Sequence, residues 1–248
     1  MKRPGRFRPL ALARVGYVYR REMSAYFLSP VAYVVIAVYL VLSGYFFSMI
    51  LLATHSAEMR GTLGDMSLVF LFVAPVLTMR LLADERRTGT DELLFTSPLS
   101  TADIVAGKYL ASLSVFLVML ALTGVYPIIL MRYGQPDMGT VLSGYLGVFL
   151  LGAVFLAVGL FASSLTDNQV VAGMIGFGML LLLWVLGWAG QSLENWLGRA
   201  LAALSVLDRF SDFNKGVLDL SNAVFYLSYI AGFCFLTVFF LDRRRWAR

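Results

Sequence analysis

Six apolar stretches separated by polar segments form the main hydrophobic pattern of the chain. They cover residues 31–52, 67–82, 109–130, 141–165, 170–188 and 220–241. A helix needs roughly 20 apolar residues to cross the hydrocarbon core of a bilayer. The second stretch is short, and we expect it to extend upstream through Leu63. The pattern therefore predicts an all-α integral membrane protein with six transmembrane helices.

Residues 14–28, which precede the first stretch, have an amphipathic pattern. Apolar and aromatic side chains recur at helical spacing, while charged residues such as Arg21 and Glu22 lie mostly on the rest of the helix surface. This pattern is typical of a helix that lies in the membrane interface. Pro30 disfavours helix at the residue before it and so permits a turn into the bilayer. The alternative is a plain cytoplasmic extension of the first span.

The chain is predicted to form one transmembrane domain over residues 1–248. Residues 1–30 would be a cytoplasmic arm and interfacial helix, residues 31–241 the six-span bundle, and residues 242–248 a cytoplasmic tail. Since only residues 166–169 separate the fourth and fifth stretches, we expect a tight helical hairpin there.

Composition and charge fix the class of protein and its orientation. The chain is 59% hydrophobic and 14% charged, whereas a soluble domain carries about 25% charged residues. Fifteen of the 20 Lys and Arg residues lie in the two termini and in the segment from Arg80 to Lys108. The positive-inside rule therefore predicts a multi-pass protein of the inner (cytoplasmic) membrane with both termini in the cytoplasm. The same rule explains the net charge of +5 without nucleic acid.

The segment between the fifth and sixth spans, residues 191–219, is long for a membrane loop. Its apolar periodicity predicts short helices packed at the extracytoplasmic interface, with Gly216 as a break. A structural lid and a substrate contact are both compatible with this pattern.

Small residues are frequent in two spans. They are Gly144, Gly147, Gly152, Ala153, Ala157, Gly159 and Ser163 in the fourth span and Ala172, Gly173, Gly176 and Gly178 in the fifth. Small residues four positions apart allow helix backbones to approach closely. They indicate packing within one protomer or, as the alternative, a surface that moves.

Motifs for covalent chemistry are absent from the sequence. There is no G-x-x-x-x-G-K-[ST] for nucleotide binding, no G-x-S-x-G, one histidine (His55) and one cysteine (Cys234). The predicted span cores contain no ionisable Asp, Glu, Lys, Arg or His, although ion-coupled carriers usually place such groups at membrane depth. We therefore predict no catalytic residues, no metal site and no cofactor in this chain, so energy for active transport must come from elsewhere.

The polar segment of residues 84–108 is the candidate functional region. It predicts a short helix after Thr90, a plausible N-cap, that ends at Pro98, and a second short helix from Ser100 or Thr101. Lys108 is expected to snorkel to the cytoplasmic surface. The segment could dock a partner protein through apolar side chains, or it could be a solvated loop that only fixes topology.

Three motifs resemble a known family. The chain reads ERRTGTDELLFTSPLS, followed by GK, after two spans, REMSAYFLSPVAY before the first span, and RFSDFNKGVLDL before the last. Together they resemble the permease subunits of ABC-2 type transporters, and the last resembles the gliding-motility permease subgroup. The resemblance covers nearly the whole chain, although there is no large extracytoplasmic domain.

The resemblance implies a function and a set of partners. Residues 85–96 would form a cytoplasmic coupling helix that docks on a separate P-loop ABC ATPase, which binds ATP and Mg, and a second permease would complete the exporter. The coupling residues would be Glu85, Gly89, Glu92, Leu93, Leu94, Phe95 and Pro98. Membrane lipid surrounds the spans. The alternatives are a membrane anchor in a motility or secretion assembly without net transport, and a passive channel, for which no charged ring or filter motif is evident.

Overall fold

The computed structural model describes residues 11–89, 99–192 and 204–246, together with Trp196 and Gly198. Regular structure in these residues is entirely helical. The helices are α1 (Ala11–Leu28), α2 (Pro30–Thr54), α3 (Arg60–Thr78), α4 (Arg80–Arg87), α5 (Thr101–Leu122), α6 (Val125–Tyr133), α7 (Met138–Leu165), α8 (Gln169–Ser192), α9 (Val206–Asn214) and α10 (Leu220–Trp246).

The prediction of six spans is confirmed for the described residues. The segments long and apolar enough to cross a membrane are Pro30–Thr54, Arg60–Arg87, Thr101–Tyr133, Met138–Leu165, Gln169–Gly187 and Leu220–Arg244. The second is longer than the sequence pattern predicted because α4 continues α3 beyond the apolar stretch. The predicted hairpin is also confirmed, since α7 ends at Leu165 and α8 begins at Gln169.

Helix α7 is the centre of the bundle, where it packs against α3, α8, α9 and α10. A Cβ atom added to Gly159 would lie 2.1 Å from Thr78 Oγ1, and one added to Gly152 would lie 2.3 Å from the ring of Phe116. These glycines therefore let neighbouring side chains touch the α7 backbone, which supports packing within the protomer. The most apolar part of α7 is 83% buried, against 17% for α10, so α10 is peripheral.

The second span is broken at Met79 by a side chain from α7. The hydroxyl of Ser163 accepts hydrogen bonds from the backbone N–H groups of Leu82 and Ala83, each at 3.1 Å, and donates to the Met79 carbonyl at 3.1 Å. A side chain inserted into the backbone hydrogen-bond ladder is a recognised cause of helix kinks. Pro75, one turn before Met79, removes another backbone hydrogen bond from this helix because it has no N–H to donate.

The third span is also interrupted, although the sequence pattern predicted one continuous stretch. Helices α5 and α6 meet at a turn over Thr123 and Gly124. Pro127 cannot donate to the carbonyl of Thr123 four residues before it. That carbonyl instead accepts from the N–H of Tyr126 at 2.9 Å and from the hydroxyl of Tyr145 at 2.8 Å.

The segments predicted to be cytoplasmic meet at one end of the bundle. Asp167, in the hairpin between α7 and α8, lies 3.6 Å from both Arg86 of α4 and Arg244 of α10. At the same end, the hydroxyl of Thr101 donates to Asp242 at 2.6 Å. These contacts join the flanks of the polar segment to the C-terminal helix.

The opposite end of the bundle carries α9, in agreement with the prediction of a short packed helix. Phe210 and Phe213 are buried against the backbone of α7 at Gly147, and the guanidinium of Arg209 lies 4.1 Å from the centre of the Phe225 ring. Gly216 has a φ of 89°, a left-handed conformation that glycine adopts readily. It follows the end of α9, as the predicted break requires.

Candidate functional site

The polar segment is anchored at its base by α1, which crosses α5 in close contact. A Cβ atom added to Gly107 would lie 2.6 Å from the Cβ atom of Val18. Val18 is 2% exposed, so the two helices touch without a gap at this point. The amphipathic segment before the first span is therefore a helix packed on the bundle, with one face directed inward.

Four charged side chains from three helices form a cluster beside this contact: Arg21 and Glu22 of α1, Glu85 of α4 and Lys108 of α5. We call it the base cluster. The Lys108 ammonium lies 2.9 Å from the Glu22 carboxylate and 3.0 Å from the Glu85 carboxylate. Arg21 forms an ion pair with Glu85 and lies 3.6 Å from Glu22. Each acidic group therefore faces two basic groups.

Three of the four charged groups of the base cluster are largely removed from solvent. The side chain of Lys108 is 1% exposed, and those of Glu22 and Glu85 are 11% and 12% exposed. The expectation that Lys108 snorkels to the surface is wrong, because its ammonium is neutralised in place by two carboxylates. Glu22 also turns inward, unlike the polar face expected for it. A buried charge is costly unless it is paired, and these four groups balance.

A second contact connects α1 to the start of α5. Arg14 lies 3.4 Å from Asp103, which also accepts from the backbone N–H of Ser100 at 3.1 Å. The Ser100 hydroxyl accepts from the Asp103 N–H, again at 3.1 Å. This reciprocal capping box starts α5. The helix predicted to begin at Ser100 or Thr101 and to lead into the third span does begin at Thr101, and it continues without a break as α5.

Two of the predicted coupling residues, Glu85 and Gly89, are among the described residues, and the other five are not. Glu85 belongs to the base cluster. Gly89 closes α4 with a φ of 70°, in the left-handed region that favours glycine. The other predicted coupling residues lie outside the described residues, and their role stays a prediction: Glu92, Leu93, Leu94, Phe95 and Pro98.

Sequence reasoning missed the partners of Glu85. The local pattern gave no reason to pair α1 with α5, since Glu22 and Lys108 are 86 positions apart. One signal was available: Gly107 precedes Lys108, and a glycine inside a helix often marks a close approach of another helix. The arrangement can hold three helices in register. Among the described residues, no group of three His, Cys, Asp or Glu side chains could hold a metal ion.

The fold and this site define a multi-pass helical membrane protein with a polar segment anchored on a buried ion-pair cluster. The chain belongs to the ABC-2 family transporter proteins, whose family model matches residues 24–244. It is therefore the membrane subunit of a transporter. No curated protein matches the chain significantly. The gliding-motility subgroup stays a prediction.

Proposed function

We propose that the protein is the permease subunit of an ATP-binding cassette exporter. A separate P-loop ABC ATPase binds ATP and Mg and hydrolyses the nucleotide, while the permease conducts the substrate. A second permease completes the pathway. The protein resides in the inner (cytoplasmic) membrane with both termini and the polar segment in the cytoplasm. Membership of the ABC-2 family and the absence of a nucleotide-binding motif in the sequence support this proposal.

The observation that carries the proposal is the anchoring of both flanks of the polar segment on one helix. Glu85 lies at the start of the segment and Lys108 at its end, and both are paired with α1 through Arg21 and Glu22. A loop that receives a push from a partner must have a rigid base, because a free loop would absorb the displacement. Here a displacement reaches α1, the second span and the third span together.

The docking surface is assigned to the part of the segment between these flanks. Leu93, Leu94 and Phe95 supply apolar anchors, and Glu92 supplies a charge at the rim. Glu85 is assigned to the base of the segment and not to the rim, because its carboxylate is paired with Arg21 and Lys108. Interface energy is concentrated in a few buried apolar anchors, while rim charges contribute little.

Co-purification of the ATPase tests this assignment. The double substitution Leu94→Ala with Phe95→Ala is expected to remove most of the bound ATPase, since truncating a buried anchor commonly costs about 2 kcal/mol or more. Glu92→Gln, the matched rim control, is expected to retain most of it. Both variants should insert equally, because their spans are unchanged. Equal recovery of the ATPase with the double variant and the parent would reduce the segment to a topological connector.

Orientation has its own test. Single cysteines at Thr90 and Ser192, in a Cys234→Ser background, are exposed to an impermeant thiol reagent on intact cells. The expected result is labelling at position 192 and none at position 90 until the membrane is permeabilised. Labelling at position 90 alone would show that the orientation in the membrane is the reverse of the proposed one.

The second permease is proposed because the bundle leaves large apolar faces uncovered. The most apolar parts of α2 and α8 are each only 22% buried. Lipid covers part of this area, and we assign another part to the second permease, with the substrate pathway between the two. Native mass measurement of the active complex is expected to give two permease chains. An active complex with one chain would contradict this. A complex that binds the ATPase but whose turnover no solute stimulates in vesicles would indicate the structural anchor.

A further inference from the structure

A cavity of about 170 Å³ opens between α1, the start of α2 and the junction of α3 with α4. Its lining includes the apolar side chains of Val31 and Val76 and the polar side chains of Ser29 and Arg80. Three carboxylates also line it: Glu22 and Glu85 are paired with Lys108, and Asp84 lies 3.6 Å from Arg87. The cavity thus combines, at the end of the bundle near the base cluster, the two kinds of surface that an amphiphile requires.

Arg80 differs from the other basic residues that line this cavity. Arg21 and Lys108 are each paired with carboxylates. Arg80 is half-buried, and its hydrogen bond among the described residues is a long one, 3.4 Å, to the hydroxyl of Ser29. No carboxylate of the described residues lies within ion-pair distance of it. A guanidinium removed in part from water and facing a cavity is suited to bind an anion, and its planar fork fits phosphate oxygens.

The surroundings of Arg80 distinguish a lipid from a free ion. Val76 lines the cavity four residues before Arg80 and is 37% exposed on the outer surface of α3. Phe72, one turn further along the same face, is 56% exposed. An acyl chain could lie along this apolar face while its headgroup occupies the cavity, whereas a free phosphate would leave the face uncovered.

We propose that this cavity binds the phosphate of a membrane glycerophospholipid. The Arg80 guanidinium donates to the phosphate oxygens, the Ser29 hydroxyl is a second donor, and the acyl chains lie along Phe72 and Val76. The inference requires only that this end of the bundle lies at a bilayer surface, where basic pockets between helices can hold lipid headgroups. It does not depend on the proposed ATPase partner.

Lipid binding to the purified, delipidated full-length chain tests this inference. The shift of the thermal unfolding midpoint is measured with phosphatidylglycerol, with diacylglycerol of the same acyl chains and with inorganic phosphate, over equal concentration ranges. Only phosphatidylglycerol is expected to stabilise strongly. Arg80→Gln is expected to weaken the apparent affinity about tenfold, as for loss of a hydrogen bond to a charged group. Arg132→Gln, at an exposed arginine of α6, should leave it unchanged.

Two further variants keep the test decisive if Arg80→Gln does not fold. Arg80→Lys retains the charge but not the planar fork, and Ser29→Ala removes the second donor, so each should weaken binding less than tenfold but measurably. Equal stabilisation by diacylglycerol, or by inorganic phosphate, would overturn the lipid assignment. If Arg80→Lys and Ser29→Ala both bind phosphatidylglycerol as the parent does, the site is overturned, whether or not Arg80→Gln folds.

Discussion

Replacing Lys108 by methionine should destabilise the protein more than any other single lysine substitution. The change removes the ammonium that lies 2.9 Å from Glu22 and 3.0 Å from Glu85. Methionine has a similar length and keeps most of the apolar contacts of the lysine side chain. Two carboxylates with side chains only 11% and 12% exposed then share Arg21 as their basic neighbour.

The size of the effect follows from the burial of these groups. Removing one partner of a buried ion pair typically costs about 3–5 kcal/mol, because it leaves an uncompensated buried charge. Lys215→Met is the matched control, since Lys215 is exposed on the far side of the bundle after α9. It should change the free energy of unfolding by about 0.5 kcal/mol or less.

A compensated variant separates the charge effect from a packing effect. Replacing buried ionic groups together by well-packed hydrophobic residues of similar volume is often neutral or stabilising. The triple substitution Glu22→Met, Glu85→Met and Lys108→Met should therefore recover most of the stability that Lys108→Met loses. Arg21 can remain because its side chain is 45% exposed and its charge can be solvated.

The assay is the thermal unfolding midpoint of each purified variant in one detergent, with turnover of the proposed ATPase partner in complex with the variant as a second reading. The triple variant is expected to be stable but to transmit less of the loop displacement, so that solute stimulation of turnover falls. The reasoning is refuted if Lys108→Met is no less stable than Lys215→Met, or if the triple variant is as unstable as the single one.

Two substitutions of small residues test the contacts around this site. Gly107→Ala should cost about 1–3 kcal/mol through overpacking, because the new methyl group would lie 2.6 Å from Val18 Cβ, whereas Gly16→Ala, with nothing within 4 Å, should slightly stabilise α1. Ser163→Ala should cost about 1–3 kcal/mol by leaving buried backbone groups of the second span without their partner. Ser112→Ala should cost less, since that equally buried hydroxyl donates only to its own helix. Unfolding midpoints measure all four; equal effects within either pair would contradict the argument.

The span count could be predicted because a hydrophobic stretch is a local property of the sequence. The hairpin at residues 166–169 and the break at Gly216 were equally local, and the structure confirms both. The interruption of the third span had a local signal as well, since Pro127 cannot donate to the carbonyl of Thr123. The apolar stretch continues through this proline, so hydropathy alone conceals the break.

The base cluster and the break at Met79 could not be predicted from local pattern. Whether Lys108 reaches the surface or stays buried depends on Glu22, and the fold alone determines that α1 lies against α5. The break depends on Ser163, a residue of another span, and nothing in the sequence near Met79 specifies that partner. Both features arise from tertiary contacts between helices distant in the chain.

The ion pairs of the base cluster fix the relative positions of the helices better than a purely apolar contact would. Buried ion pairs add little net stability, but they are directional and penalise any arrangement that separates the charges. The tight contact of Val18 with Gly107 sets the distance between α1 and α5, while the charges set their register. Lys108 faces two carboxylates and Arg21 faces the same two, so moving α1, α4 or α5 alone would separate at least one charged pair. The proposed transmission of a displacement from the polar segment to α1 requires a rigid connection of this kind.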